Sequence, residues 1–391
     1  MSKWEKVKLG DIGVFKTGGT PSRKCPDYFK GNIPWITTVS LNKNFIDESD
    51  AIQFITREAI ENSAAKIISA NSIMIGVRVG IGKVSINKVP MATNQDIVSI
   101  EDIDERKIYK PYLVYFIKSK NHLLDTLKRG ATIQGININV LKSLTIPLPP
   151  LETQKQIAKI LDTATELLAL QKQQLAELDN LLKSIFYDMF GVPSSNEKGW
   201  EKGWEIKPLR LVGETDLTYG SGAAATNYDG HTRYIRITDI NEDGTLGNEF
   251  VSPNKVSEKY YLNDGDILFA RSGATVGKTF RFRKEFGKCI YAGYLIKFVP
   301  DKTQVLPDYV FYFTKTNYYK NFIESNKKTV AQPNINARQL SNLKIPVPPL
   351  HLQNQFADIV TKIEEQKSQV RKAIEETQTL FDSLMSQYFD E

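Results

Sequence analysis

The sequence predicts an α+β protein written twice. Two similar globular units are separated by two long helices that pair as an antiparallel coiled coil, giving an internal pseudo-two-fold repeat. Three observations carry this reading. The halves repeat at a fixed offset, each half ends in a long heptad-patterned segment, and the basic charge lies outside those segments.

The repeat decides the architecture, since self-similarity at a fixed period means a duplicated structural unit. The segment 141-LKSLTIPLPPLETQKQIAKI-160 aligns with 340-LSNLKIPVPPLHLQNQFADI-359. Ile146, Pro147, Pro149, Pro150, Leu151, Gln154, Gln156, Ala158 and Ile160 recur as Ile345, Pro346, Pro348, Pro349, Leu350, Gln353, Gln355, Ala357 and Ile359, at an offset of 199 residues that runs ungapped to Phe190 and Phe389. The starts repeat too, as Trp4, Glu5 and Leu9 answer Trp204, Glu205 and Leu209. Between the ends the likeness is faint but ordered. The stretch 34-PWITTVSL-41 parallels 233-RYIRITDI-240, 72-SIMIGVRVGIGKV-84 parallels 266-DILFARSGATVGKT-279, and 134-QGIN-137 parallels 332-QPNIN-336. The expected division is a globular unit at 1–149, a helix at 150–190, a linker at 191–203, a second unit at 204–348 and a second helix at 349–391. Gly191 stops the first helix, and Pro193 with its serines marks the linker.

After each Pro-Pro pair the pattern turns helical, since proline fits the first helical position, where its missing N–H has no intrahelical role. Ile157, Leu161, Ala164, Leu168, Gln171, Leu175, Leu178, Leu182, Ile185 and Met189 step alternately by four and three. The second copy, in the same phase, is Phe356, Val360, Ile363, Lys367, Val370, Ile374, Thr377, Phe381, Leu384 and Tyr388. This is a heptad seam. Each helix of about 38 residues would be roughly 57 Å long. Such a stripe needs a partner, and the other copy is the natural one, because the seam outruns a single small domain. The polar members Gln171, Lys367 and Thr377 weaken the seam and set its register.

The helices are acidic, with four lysines against six acids in 150–191 and four bases against eight acids in 349–391. The whole chain is +6, so the globular units hold the basic excess and are where a polyanion would bind. Their strands are expected at 33–39, 72–79, 83–86, 96–100, 233–240, 266–270, 278–282 and 293–299, with helical patterns at 57–64, 110–119 and 307–316. That mix suits a curved, mostly antiparallel sheet. Between these elements lie loops that mix Lys and Arg with Gly, Ser, Thr, Asn and Gln: 16–25, 128–137, 218–233 and 326–336. Arg and Lys suit phosphates or guanine edges, and Asn and Gln suit adenine edges.

The stretch 273-GATVGKT-279 imitates a nucleotide-binding P-loop. The motif needs four residues between its glycines, whereas here Ser272 stands at the required glycine position and a strand-like TFRF follows. A tight turn between two strands explains it better. The three histidines, His122, His231 and His351, have no metal spacing, and Cys25 and Cys289 stand alone, so no zinc site or disulfide framework is expected. The opening MSKWEKVKLGDIG is charged throughout and is not expected to be a signal peptide, and no apolar run approaches a membrane span, so the expected location is cytoplasmic.

Together the two Pro-Pro-Leu helices, the opening 4-WEKVKLGDIGVFKTGGTPS-22 with 34-PW-35, and 266-DILFARSGATVGK-278 resemble the specificity subunit of type I restriction-modification systems along essentially the whole chain. The resemblance implies two target-recognition domains, each reading one half of a split, asymmetric double-stranded DNA site. It implies helices that act as spacer and as docking surface for modification (methyltransferase) subunits, two of them, with restriction (translocase and nuclease) subunits as further partners. It implies no catalysis and no cofactor in this chain, S-adenosylmethionine and ATP belonging to the partners. Recognition carries over by region, to Lys16, Thr20, Ser22, Arg23, Lys24, Arg78 and Gln134 in the first unit and to Tyr219, Ser221, Asn227, Arg233, Arg236, Arg271 and Gln332 in the second. The competing readings are a coiled-coil scaffold without a nucleic-acid role and a P-loop-like nucleotide hydrolase.

Overall fold

A computed structural model describes residues 4–128, 135–192, 201–327 and 333–390. The chain divides into a first unit, residues 1–172 with 372–391, and a second, residues 173–371, so both units take in part of each long helix.

The first unit runs β1 (Glu5–Lys8), β2 (Val14–Thr17), β3 (Ile33–Ile36), β4 (Phe45–Ile46), β5 (Gln53–Ile55), α1 (Arg57–Glu61), β6 (Ile67–Ile68), β7 (Ile73–Gly76), β8 (Val84–Asn87), β9 (Met91–Thr93), β10 (Ile97–Glu101), α2 (Lys110–Ser119), α3 (Asn121–Thr126), α4 (Ile138–Ser143) and β11 (Thr145–Leu148), ahead of α5 (Leu151–Phe190). The second runs β12 (Glu205–Pro208), β13 (Thr218–Tyr219), β14 (Ala225–Asn227), β15 (Arg233–Ile235), β16 (Val251–Pro253), β17 (Ile267–Ala270), β18 (Thr279–Arg281), β19 (Cys289–Tyr291), β20 (Leu295–Phe298), α6 (Pro307–Phe313), α7 (Asn317–Asn326), α8 (Ala337–Leu340) and β21 (Lys344–Val347), ahead of α9 (Leu350–Phe389).

The repeat is structural. Strand order β2-β10-β7-β8 in the first unit returns as β13-β20-β17-β18 in the second, antiparallel throughout. The ladder of β1 with β11 returns as β12 with β21, and the parallel pair of β3 with β9 returns as β15 with β19. What differs is the periphery. The first unit adds β4 beside β8 and flanks its parallel pair with β5 and β6, whereas the second adds the ladder of β14 with β16. The mixed α+β reading therefore holds, and several expected strands are shorter than the apolar runs that signalled them. Residues 237–239, expected as strand, form a 3₁₀ turn because Asp239 accepts hydrogen bonds from the N–H and guanidinium of Arg236.

Helix α2 is buried from Lys110 to Ile117, because it lies between the sheet and the long helices. A helix covered on both sides is apolar all round, which is what KPYLVYFI supplies. In the second unit α6 takes the same place, with Tyr309, Val310 and Phe313 buried against Phe186, Phe190 and Phe356.

The repeated Gln of each Pro-Pro-Leu motif explains how a helix is fixed to its unit. Gln154 is fully buried, and its amide accepts from the Tyr109 N–H at 2.9 Å and donates to the Lys107 and Pro149 carbonyls at 2.8 and 2.9 Å. Gln353 does the same with the Leu306 N–H at 2.7 Å and the Gln304 and Pro348 carbonyls at 2.9 and 2.8 Å. Each amide ties a long helix to the residues that start α2 or α6. Tyr112 and Tyr309 add a hydroxyl bond to the Pro147 and Pro346 carbonyls, each at 2.8 Å.

The seam pairs antiparallel. In the second unit Lys367 meets Asp179 at 2.7 Å while Phe356 packs on Phe186 and Phe190, so ascending one helix descends the other. In the first unit Gln171 donates to Thr377 across the seam at 3.2 Å. Ile157, Leu161, Leu168, Leu182, Phe356, Val360, Ile363 and Val370 are buried, and Leu175, Leu178, Ile374 and Phe381 are half-buried. At the helix ends the deepest residues are Phe186, Phe190 and Phe389, not the seam positions Ile185, Met189 and Tyr388. An α-helix drifts against a strict heptad, and here the ends also cover α2 and α6.

Replacing Gln154 or Gln353 with Ala removes three bonds to backbone groups, one buried and two part-buried, and each group left unsatisfied costs ~1–3 kcal/mol. Either variant should lose about 3 kcal/mol or more of unfolding free energy in urea, and an unchanged midpoint would show that water or relaxation satisfies those groups.

Candidate nucleic-acid interface

Four separate chain segments converge at the ends of the central strands in each unit, joined by backbone hydrogen bonds. In the first unit the Gly18 N–H donates to the Ile97 carbonyl at 3.3 Å, Gly19 to Thr93 at 2.8 Å, Val77 to Asp96 at 2.8 Å and Ile136 to Val77 at 2.7 Å. In the second, Gly220 donates to Leu295 at 3.2 Å, Ser221 to Tyr291 at 2.8 Å, Arg271 to Tyr294 at 3.0 Å and Ile335 to Arg271 at 3.0 Å. The two sets match bond for bond. A buried aromatic completes each, with Trp35 Nε1 donating to the Gly19 carbonyl at 3.2 Å and the Tyr234 hydroxyl to that of Ser221 at 2.7 Å.

Glycine at the crossing point is dictated by space. A Cβ on Gly18 would lie 2.1 Å from Thr93 Oγ1 and 2.3 Å from the Asn94 carbonyl, and one on Gly220 would lie 2.3 Å from the Ala292 carbonyl. The segments at 93–96 and 291–294 were not anticipated. They bring Gln95, which is exposed and accepts from Thr20 Oγ1 at 2.5 Å, and Tyr294, which is 59% exposed. Their sequences, TNQD and YAGY, share nothing, so the internal repeat could not flag them.

The expected residues divide between the junction and other places. In the first unit Thr20, Ser22, Arg23 and Lys24 are exposed on the loop leaving the junction, and Arg78 sits at its rim with Nη1 3.8 Å from Asp96. Lys16 is turned to the sheet instead, where it pairs with the buried carboxylate of Glu101. Burial alone would raise that carboxyl, but Lys16 and the Ser69 N–H hold it below the usual range. In the second unit Tyr219 and Arg271 lie at the junction, together with Ser221, whose side chain is buried and accepts from the Ala223 N–H. Asn227 is exposed on β14, away from it. Arg233 is 6% exposed and donates to the Gly247 and Glu249 carbonyls over the Phe250 ring, so its charge is spent inside the fold. Arg236 is likewise held by Asp239 and Glu249 at 2.7 and 3.0 Å. Gln134 and Gln332 lie outside the described residues.

The P-loop imitation resolves into a hairpin. Strands β17 and β18 pair antiparallel, and Gly277, at φ 88°, donates its N–H to the Ala270 carbonyl at 2.9 Å. Only glycine holds that left-handed conformation without strain. Lys278 pairs with Glu242 at 3.1 Å and Thr279 bonds Thr314 at 2.6 Å, so neither is presented to a phosphate.

Sequence comparison settles the family, because residues 1–180 and 201–377 both match the type I restriction modification DNA specificity domain. The chain belongs to the type I restriction-modification specificity family. Within that family it is 26% identical to the MjaIX specificity subunit of Methanocaldococcus jannaschii over 98% of this chain and 91% of that one. It is 36% identical to the EcoR124I/EcoR124II specificity subunit of Escherichia coli, over 39% of each chain. The fold is shared with the crystal structure of a type I restriction-modification S subunit from M. genitalium, at 17% identity and a TM-score of 0.60, covering 100% of this chain and 97% of that one.

Gly220→Ala should displace the 291–294 segment and cost about 1–3 kcal/mol, as overpacking does. Urea unfolding would read it, and a neutral result would mean that the crossing has slack.

Proposed function

We propose that this chain is the non-catalytic, sequence-specific DNA-binding subunit of a type I restriction-modification complex. Residues 1–149 and 204–348 act as its two target-recognition domains, each reading one half of a bipartite, asymmetric site. One observation carries the reading: the same backbone junction is built twice and bears different side chains. The first copy offers Thr20, Arg23, Lys24, Arg78 and Gln95, and the second offers Tyr219, Arg271 and Tyr294. Equal scaffolds with unequal edges suit unequal half-sites, since phosphate contacts position a reader and base-edge contacts specify the sequence.

The basic excess of the globular units supports a polyanionic ligand. The helix pair is the proposed dock for modification subunits. Helix α5 leaves Ile160, Leu167 and Leu170 exposed outside the seam, a surface suited to protein contact. Methyl transfer, with S-adenosylmethionine, and ATP-driven restriction are assigned to the partner subunits, and the complex works in the cytoplasm. Among the described residues no helix is long and apolar enough to cross a membrane.

Mapping methylated bases in cells with and without this gene tests the proposal. Loss of one split, asymmetric motif is expected, and an unchanged methylation map in cells that express the complex would overturn it. With purified complex, Arg23→Glu combined with Lys24→Glu should weaken binding evenly across DNA sequences and flatten the salt dependence by about one unit of slope per lost phosphate contact. A scaffold protein would bind DNA without that salt dependence, or not at all.

A further inference from the structure

The matched junctions differ most at one position. Arg271 occupies the place that Val77 holds in the first unit: each donates its N–H to the neighbouring segment and accepts from the third, as Tyr294 and Ile335 do for Arg271 and Asp96 and Ile136 do for Val77. Next to it Tyr219 occupies the place of Thr17, since Tyr219 pairs with Ile296 on β20 as Thr17 pairs with Val98 on β10. The second junction thus gains an arginine and an aromatic ring together.

These two side chains form a built arrangement. The Arg271 guanidinium lies over the Tyr219 ring, 4.9 Å from its centroid. The ring is fixed from the other side, because the Ala337 N–H donates to the Tyr219 hydroxyl at 3.0 Å, and it is 42% exposed. The fork is underused. Arg271 Nη1 reaches the Gly293 carbonyl at only 3.5 Å, and Nε is buried with no hydrogen-bond partner among the described residues. No carboxylate pairs with Arg271 among the described residues, in contrast to Arg236 with Asp239 and Arg281 with Asp308. A cation held over a ring, with no carboxylate against it among the described residues and few acceptors, at a junction whose ring is part-exposed, is prepared for a planar ligand with two acceptors. Guanine presents that pair, N7 and O6, in the major groove. A phosphate needs only a positive charge, which Arg23 and Lys24 supply on an exposed loop, whereas an arginine fork held over a ring adds planar, bidentate geometry.

We infer that Arg271 reads a guanine in the half-site assigned to the second unit, with Tyr219 as the positioning residue that holds its guanidinium. The inference rests on the proposed DNA-reading function. It also predicts asymmetry, because Val77 cannot make the equivalent contact.

The test uses the full complex, this chain with its modification subunits, expressed in a host that lacks adenine methylation, with methylated motifs mapped by single-molecule sequencing. The unaltered complex should give a split motif with at least one guanine, on either strand, in one half. Arg271→Gln should relax or change one G·C position in one half by about ten- to a hundredfold in discrimination and leave the other half intact. Arg271→Lys, which keeps the charge and loses the fork, should relax the same position. An even fall in methylation at all sites, with the motif intact, would assign Arg271 to phosphate and overturn the inference, as would a motif and rate unchanged in both variants. Should Arg271→Gln fail to co-purify with its partners, Tyr219→Leu carries the test: relaxation at that position supports the stacked fork, and an unaltered motif rejects it. Absence of any split motif from the unaltered complex would instead reject the DNA-reading function, and this inference with it.

Discussion

The buried amides of Gln154 and Gln353 are the constraint on which each unit's architecture depends. A helix of 40 residues gains little from local propensity and must be held by tertiary contacts. Each glutamine supplies one acceptor and two donors to backbone groups at a corner between helix start, β-ladder and short helix. The carbonyls of the prolines before it, Pro147 with Pro149 and Pro346 with Pro348, are acceptors that need donors where they are covered. The glutamine amide and a tyrosine hydroxyl supply them. The sequence motif is thus a hydrogen-bonding device that fixes where the helix leaves the sheet.

Orientation about the helix axis needs a second device. In the first unit the Tyr115 hydroxyl donates to Asp162 on α5 at 2.6 Å, and in the second the Tyr312 hydroxyl donates to Glu364 on α9 at 2.9 Å. Burial pushes the Tyr115 hydroxyl up to about 12, and Tyr312 is raised as well, first by burial and then by Glu364, so both stay protonated donors. Glu364 also meets Lys367, which is 4% exposed in the seam and pairs with Asp179 across it. A buried lysine costs stability unless it is paired. Glu364 is on the same helix and stays beside it, but Asp179 reaches Lys367 only when α5 runs antiparallel to α9 in this register, so another pairing would remove the partner across the seam. The polar seam residues therefore choose one arrangement that the apolar ones merely permit.

Much of this was legible in the sequence. The offset repeat, the heptads and the proline-rich helix starts gave the duplicated architecture, because each is a local pattern with a mechanical consequence. The sheet order was not legible, since β1 and β11 meet across most of a unit, and four-residue strands carry little periodicity. The phase of the helix ends also escaped, because Phe186, Phe190 and Phe389 answer to α2 and α6 and not to the seam. The junction was half legible. The repeat pointed to 77–78 with 271–272, but Gln95 and Tyr294 are brought in by strand ends whose sequences have nothing in common.

The charged loops show why composition overstates an interface. Arg233, Arg236 and Lys16 stand in basic, polar stretches, and each is consumed by the fold: by carbonyls and a ring, by two carboxylates, and by a buried glutamate. A long cation covers apolar surface with its stem and saturates acceptors with its head, so it serves structure as readily as a ligand. Arg23 and Lys24 differ in being exposed, and Arg271 in being half-buried with one long carbonyl contact at 3.5 Å and no carboxylate against it among the described residues. In a duplicated scaffold this distinction has a consequence. Apart from the glycine at each crossing and the buried aromatic beneath it, the junction is held by main-chain bonds, so most side chains standing on it are released from structural duty. They can differ between the two copies while the framework beneath them stays the same, which is what a protein needs if its halves are to recognise different sequences with one fold.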